Sequence, residues 1–181
     1  MDALECLKTR RSCRAYSDRM PSCEVLERIC EAGTYAPTGH GKQSPLIVAV
    51  TNKEVRDRLS AMNARVWNSL HPEREPVEGF DPFYGAPVVL LVLADADVVT
   101  YEYDGCAVMT NLLNATHACG LASCWIHRAR EVFASDEGRA LLHELGIEGN
   151  YVGIDHCVVG YPKGPLPPAA PRKADYVRWV E

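Results

Sequence analysis

The chain has 181 residues, 47% of them hydrophobic and 24% charged. This is an ordinary globular composition, with length enough for one domain and a sizeable core. A formal charge of −5 excludes a wholly basic surface, and with it broad binding to nucleic acid or anionic membranes unless a local patch overrides the total. The longest apolar run, residues 87–94, is strand-sized and far short of a membrane span.

The residues that open the chain, Met1-Asp2-Ala3-Leu4-Glu5, are acidic and lack the basic-then-apolar pattern of a secretion signal. Eight cysteines stand at positions 6, 13, 23, 30, 106, 119, 124 and 157, with no C-x-x-C pair. They read as reduced, mostly buried thiols of a cytoplasmic protein.

A first helix is expected after Asp2, an N-cap residue type, to about Thr9. Residues 10–16 read as extended. A second helix starts near Ser22, with Val25, Leu26, Ile29 and Cys30 at one-face spacing, and ends near Gly33. Residues 36–45 hold two prolines and two glycines and predict a loop without regular structure. Residues 46–50 form a short strand and 53–70 a helix. Residues 71–86, rich in proline and glycine, predict an exposed excursion. Residues 87–95 are apolar on both faces, as in a central covered strand.

Residues 103–119 predict a helix apolar nearly all round, buried in the core or in a subunit interface, with Gly120 closing it. A strand at 121–127, a helix from Ser135 to Gly146 and a strand at 152–161 follow. The proline-rich tail cannot be helical. Its apolar residues Tyr176, Val177, Trp179 and Val180 need a surface to lie on, and a partner subunit would supply one. The intermingled elements make the fold α/β or α+β in a single domain.

Four segments carry chemistry. In Arg10-Arg11-Ser12-Cys13-Arg14, the alternation of an extended chain puts Arg10, Ser12 and Arg14 on one face, which suits a phosphate. A solvated basic turn is the plainer reading. In Pro37-Thr38-Gly39-His40-Gly41-Lys42-Gln43, glycines let backbone approach a flat ligand, and Gln43 offers a donor and an acceptor to a heterocycle edge. The strand end Trp125-Ile126-His127-Arg128 stands where ligands sit in open sheets, or is core with polar residues just outside. Arg172-Lys173 on the tail could return to the same phosphate, or be solvated charges.

In order and spacing, these segments resemble the nitroreductase-like flavoprotein family over residues 4–176. Arg10, Arg11, Ser12 and Arg14 match its RRSxR-type motif, and Ala36, Pro37, Thr38 and Gly39, with Gln43 shortly after, match its APSG-like loop. Residues 111–125 match its buried helix and GLGSCW-like strand. Gly160-Tyr161-Pro162 matches a GYP turn, and Arg172 a late basic residue. The chain departs from the pattern at Gly41, where asparagine is usual, and at Ser44, which interrupts Gln-Pro.

The resemblance implies an α+β three-layer sandwich: a mixed, mainly antiparallel central sheet flanked by helices, with an extended C-terminal tail. It implies a homodimer with FMN at the subunit interface. Arg10, Ser12, Arg14 and Arg172 would hold the phosphate, Pro37, Thr38 and Gly39 would approach the flavin from the other subunit, and Arg11 and Gln43 are further cofactor-binding candidates. Backbone around Ile126 and His127 would lie near the ring nitrogen that accepts hydride, with Trp125 as a further cofactor-binding residue. The implied activity is ping-pong hydride transfer from NADH or NADPH to a small electron-poor acceptor such as a nitroaromatic or quinone.

Enones and halogenated aromatics are alternative acceptors, and a non-catalytic flavin-binding or regulatory protein is an alternative role. His127 and His40 are candidate proton donors. A zinc site from Cys119, Cys124 and His127, with Cys157 as a distant fourth ligand, is a rival reading that lacks a C-x-x-C pair. No nucleic-acid or membrane partner is expected.

Overall fold

In the computed structural model, which describes residues 2–181, the elements run in the order α1 (Ala3–Thr9), α2 (Cys23–Thr34), β1 (Pro45–Val50), α3 (Lys53–Leu70), β2 (Val88–Asp95), α4 (Tyr101–Ala118), β3 (Ala122–Ile126), α5 (Ala129–Ala134), α6 (Asp136–Glu144) and β4 (Tyr151–Gly160). Side-chain caps set four helix starts. The Asp2 carboxylate accepts from the Glu5 N–H at 2.8 Å, Ser22 from Val25, Asn52 from Val55 and Ser135 from Gly138.

The sheet order is β1-β2-β4-β3, and every neighbouring pair is antiparallel. The parallel element in an otherwise antiparallel arrangement is an isolated bridge between Ser12 and Ser123. Along β2 and β4 the register shifts between Val92, which faces Asp155, and Leu93, which faces Gly153. Ile154 is thus the extra residue of a β-bulge.

β2 explains the layers. Val89, Leu91 and Leu93 pack with Leu59 and Met62 of α3, Val132 and Phe133 of α5 and Leu141 of α6. Val88, Leu90, Val92 and Ala94 pack on the other face with Ile29 of α2 and Val108, Met109 and Leu112 of α4. Alternation sends successive side chains to opposite faces, so a strand covered on both sides must be apolar throughout. Each buried Val or Leu is worth roughly 1.5–3 kcal/mol relative to exposure.

Three sequence expectations change. Residues 39–41 form a single 3-10 turn inside the predicted loop. α5 fills what read as a connection. It is short, and it begins from Arg128 at φ 84° with no side-chain cap, so the usual start signals are absent. The 71–86 excursion is exposed only in its first part. Phe83 is buried, and Asp81 ties the turn by accepting from the N–H of Phe83 (2.8 Å) and Gly85 (2.6 Å) and from the Ser60 hydroxyl (2.6 Å).

α4 is buried along one face, but Tyr103 and Cys106 are exposed. Of the eight free cysteines, Cys6, Cys13, Cys124 and Cys157 are buried, and Cys23 and Cys106 are exposed. Among the described residues, no helix is long and apolar enough to cross a membrane.

Candidate functional site

The arginine segment is tied to the sheet. The Cys13 N–H donates to the Ser123 carbonyl at 2.9 Å, and the Tyr16 hydroxyl donates to the Cys13 carbonyl at 3.1 Å. Cys13 and Tyr16 are buried, Arg10 and Ser12 half-buried and Arg14 exposed. Burial raises the Cys124 thiol above its ordinary value, while the charge of Arg14, the adjoining Ser12 and the charge of Arg10 pull it back.

Among the described residues, three polar atoms here are buried without a partner: the Arg10 Nη1, the Arg11 Nε and the Ser123 hydroxyl. A desolvated donor without an acceptor is costly, most of all when charged. An anion with several oxygens would satisfy Arg10 and Ser123. Arg11 is placed differently. Its Nη1 donates to the carbonyls of Lys8 (2.8 Å) and Arg10 (2.7 Å), so it closes the end of α1.

The start of the tail covers this segment. Lys163 N–H donates to the Ala15 carbonyl at 3.0 Å, and a cavity of about 270 Å³ lies between Ser12, Arg14, Pro165 and Leu166. Arg172 lies further out, exposed. Among the described residues it makes no ion pair.

The 37–43 loop hangs from α4. Asp104, buried near the start of that helix, accepts from the Gly39 N–H at 2.9 Å, the Ser44 hydroxyl at 2.7 Å and the Thr100 hydroxyl at 3.1 Å. Gly39 is required by space, since a Cβ there would stand 2.2 Å from the Thr100 hydroxyl oxygen. The Thr38 hydroxyl accepts from the Gln43 N–H at 3.1 Å. His40 and Gln43 take positive φ, 53° and 49°, so the turn is held by its anchors. Thr38 and Gln43 border a cavity of about 340 Å³ with Cys30, Ala36, Pro45 and Val108. Pro37 is exposed. Within one chain, this cavity and the one beside Arg14 share no lining residue.

The end of β3 is braced by two residues the sequence did not single out. Asp155 of β4, 4% exposed, takes the Trp125 indole N–H on one oxygen. His127 Nδ1 lies 2.9 Å from the other. Burial pushes the Asp155 carboxyl above its ordinary value, while the bonds from Trp125 and His127 draw it down. Asn63 of α3, fully buried, donates to the His127 carbonyl at 2.8 Å. Its side-chain oxygen accepts from Arg128 Nε (3.1 Å) and Nη2 (2.9 Å). Ile126 is buried, with its carbonyl 3.3 Å from His156 Nδ1.

Among the described residues, no group of three or more His, Cys, Asp or Glu side chains is placed to hold a metal. Cys119 ends α4, Cys124 and Cys157 are buried in the sheet, and His127 is engaged by Asp155.

Comparison with known proteins identifies the family and the fold. The model of the Nitroreductase family matches residues 7–161. A relative from Archaeoglobus fulgidus, described as a candidate NADH dehydrogenase/NAD(P)H nitroreductase, is 32% identical over 168 residues, which is 88% of this chain and 86% of that protein. Two solved structures cover all of this chain and are covered entirely by it. One is a nitroreductase with bound FMN from Bacteroides fragilis, at TM-score 0.90 and 28% identity. The other is a nitroreductase with bound FMN from Desulfitobacterium hafniense, at TM-score 0.86 and 26% identity. A match across most of the chain in sequence and all of it in fold leaves one conclusion: the chain belongs to the nitroreductase family.

Proposed function

We propose that this protein binds FMN and acts as an NAD(P)H-dependent oxidoreductase on small electron-poor acceptors such as nitroaromatics or quinones. The observation that carries the reading is the buried Arg10 Nη1, which has no acceptor among the described residues, in a segment bridged to β3 at Ser123, whose own hydroxyl is buried without a partner. Arg10, Ser12 and Arg14 would hold the phosphate through charge-assisted hydrogen bonds, with Arg172 as a further contact. The Pro37, Thr38, Gly39 and Gln43 backbone, pinned by Asp104, would face the ring. Residues 125–127 would lie along its reactive edge.

Bound FMN would supply hydride chemistry, which none of the protein's side chains can perform. The chain's own residues bind, orient and exclude water. The FMN-bound structures from Bacteroides fragilis and Desulfitobacterium hafniense and the nitroreductase-like relative from Archaeoglobus fulgidus support this reading. A homodimer that completes the site is part of it. The exposed Tyr103 and Cys106 on α4, and the exposed Tyr176, Val177, Trp179 and Val180 of the tail, favour a covering partner.

The test is FMN titration followed by anaerobic NAD(P)H. A bound flavin that bleaches, then regains colour with a nitroaromatic or quinone, is the expected result. Recovery only with an enone or halogenated aromatic would move the acceptor class. A flavin that stays oxidised would make the protein a binding or regulatory one. Failure to retain FMN would overturn the phosphate assignment.

A further inference from the structure

Resting on the FMN reading above, we propose that His127 delivers a proton to the acceptor from its Nε2, and that Asp155 is the residue positioning it. Three observations carry this. The Asp155 carboxylate is buried and stands 2.9 Å from His127 Nδ1, with its second oxygen taken by the Trp125 indole. An ionised carboxylate only accepts hydrogen bonds, so it fixes the proton on Nδ1 and leaves Nε2 to face elsewhere. The imidazole itself is open, with 73% of its side chain exposed against 5% for Asp155. A histidine whose inner nitrogen is locked and whose ring is open to solvent is built to exchange protons at the outer one.

The backbone is locked as well. Asn63 holds the His127 carbonyl at 2.8 Å and Arg128 at 2.9 Å, so the backbone that carries the ring is fixed while Nδ1 is held by Asp155. Its place on the strand fits the role. β3 begins beside Ser123, bridged to Ser12 of the arginine segment, and His127 follows its last residue. Four residues at about 3.3 Å each put the His127 backbone roughly 13 Å along the strand from that bridge. The phosphate end and the proton donor thus stand at opposite ends of one strand.

Two-electron reduction of a nitro group or quinone adds a hydride and a second proton. The hydride, two electrons and one proton, comes with the cofactor. The second proton leaves His127: its Nε2–H bond breaks, an O–H bond forms on the acceptor, and the imidazolium becomes neutral imidazole. Nδ1 keeps its proton on Asp155, and Nε2 regains one from solvent. The other groups facing the couple are Cys106 of α4, Glu131 of α5, Arg128 of the turn before it, and His156 of β4.

Two measurements test the proposal. The first uses FMN-free protein with 15N-labelled histidine. Neutral His127 is expected as the Nδ1–H tautomer, changing to the solvent-preferred Nε2–H form in Asp155→Ala. The second compares half-reactions of the loaded enzyme by stopped flow. His127→Gln, a change at a largely exposed side chain, should slow reoxidation by the acceptor at least 10-fold more than reduction by NAD(P)H. The pH break of reoxidation should also disappear, and exogenous imidazole should restore the rate in His127→Ala.

An Nε2–H tautomer in the unsubstituted protein, or half-reactions that slow together or not at all, would overturn the proposal. Loss of FMN binding by the unsubstituted protein would instead sink the cofactor reading. The tautomer experiment would still report on the couple.

Discussion

The N–H of Gly39 is held by the Asp104 carboxylate at 2.9 Å, across 65 residues of chain. That one side chain also holds Ser44 and Thr100. It fixes both ends of a loop whose positive-φ residues would otherwise relax. Asp104→Ala strands the buried Ser44 hydroxyl and the half-buried Gly39 and Thr100 donors, at a cost of about 1–3 kcal/mol. The expected result is a melting temperature lower by roughly 3–10 °C, together with weaker FMN binding. Calorimetry and a flavin titration check it. Unchanged stability would mean that the loop does not depend on this anchor.

Arg10→Ala and Arg14→Ala address the phosphate. A hydrogen bond to a charged group is worth about 1.5–3 kcal/mol, so each change should raise the FMN dissociation constant roughly 10- to 100-fold. Riboflavin, which has no phosphate, should bind the variants and the unsubstituted protein alike. Equal losses for both flavins would place the arginines elsewhere in the site.

His156 sets an acid limit on stability. It is fully buried between Phe83 and Phe133, and burial pushes its ring down to about 4 from an ordinary 6.5. Between those values the unfolded chain binds more protons than the folded one. Stability therefore rises with pH across the window and is lost as pH falls from about 6.5 toward 4. The full loss is roughly 3 kcal/mol. Denaturant titrations at several pH values should show this slope, and His156→Leu should flatten it.

Asn63 joins α3 to the turn after β3. Asn63→Ala removes the donor to the His127 carbonyl and leaves Arg128 without its acceptor. The expected cost is about 2–4 kcal/mol, read from a denaturant midpoint. Amide exchange should quicken at residues 127–130. Protection unchanged there would show that Arg128, over the Trp67 ring at 4.9 Å, suffices to hold the turn.

Much of the architecture was legible because it rests on local signals. Asp2, Ser22 and Ser135 cap the helices they appeared to start. The uniformly apolar β2 lies at the centre of a covered sheet. Family membership was legible too, from motifs set in order along one domain. α5 was not, since it has six residues and no capping side chain. Nor was the inward turn at Phe83, since its anchor, the Asp81 carboxylate, gives no periodic signal.

By itself, then, the sequence determined the helix starts, the two-faced core strand and the family, because caps and periodicity act over a few residues. The pairings of Asp104 with Gly39, Asp155 with His127 and Asn63 with the His127 carbonyl were decided only in three dimensions. They span 65, 28 and 64 residues. Each joins a single polar side chain to a distant group. In each the polar side chain, Asp104, Asp155 or Asn63, is buried by residues remote in sequence, and no local pattern along the chain encodes that.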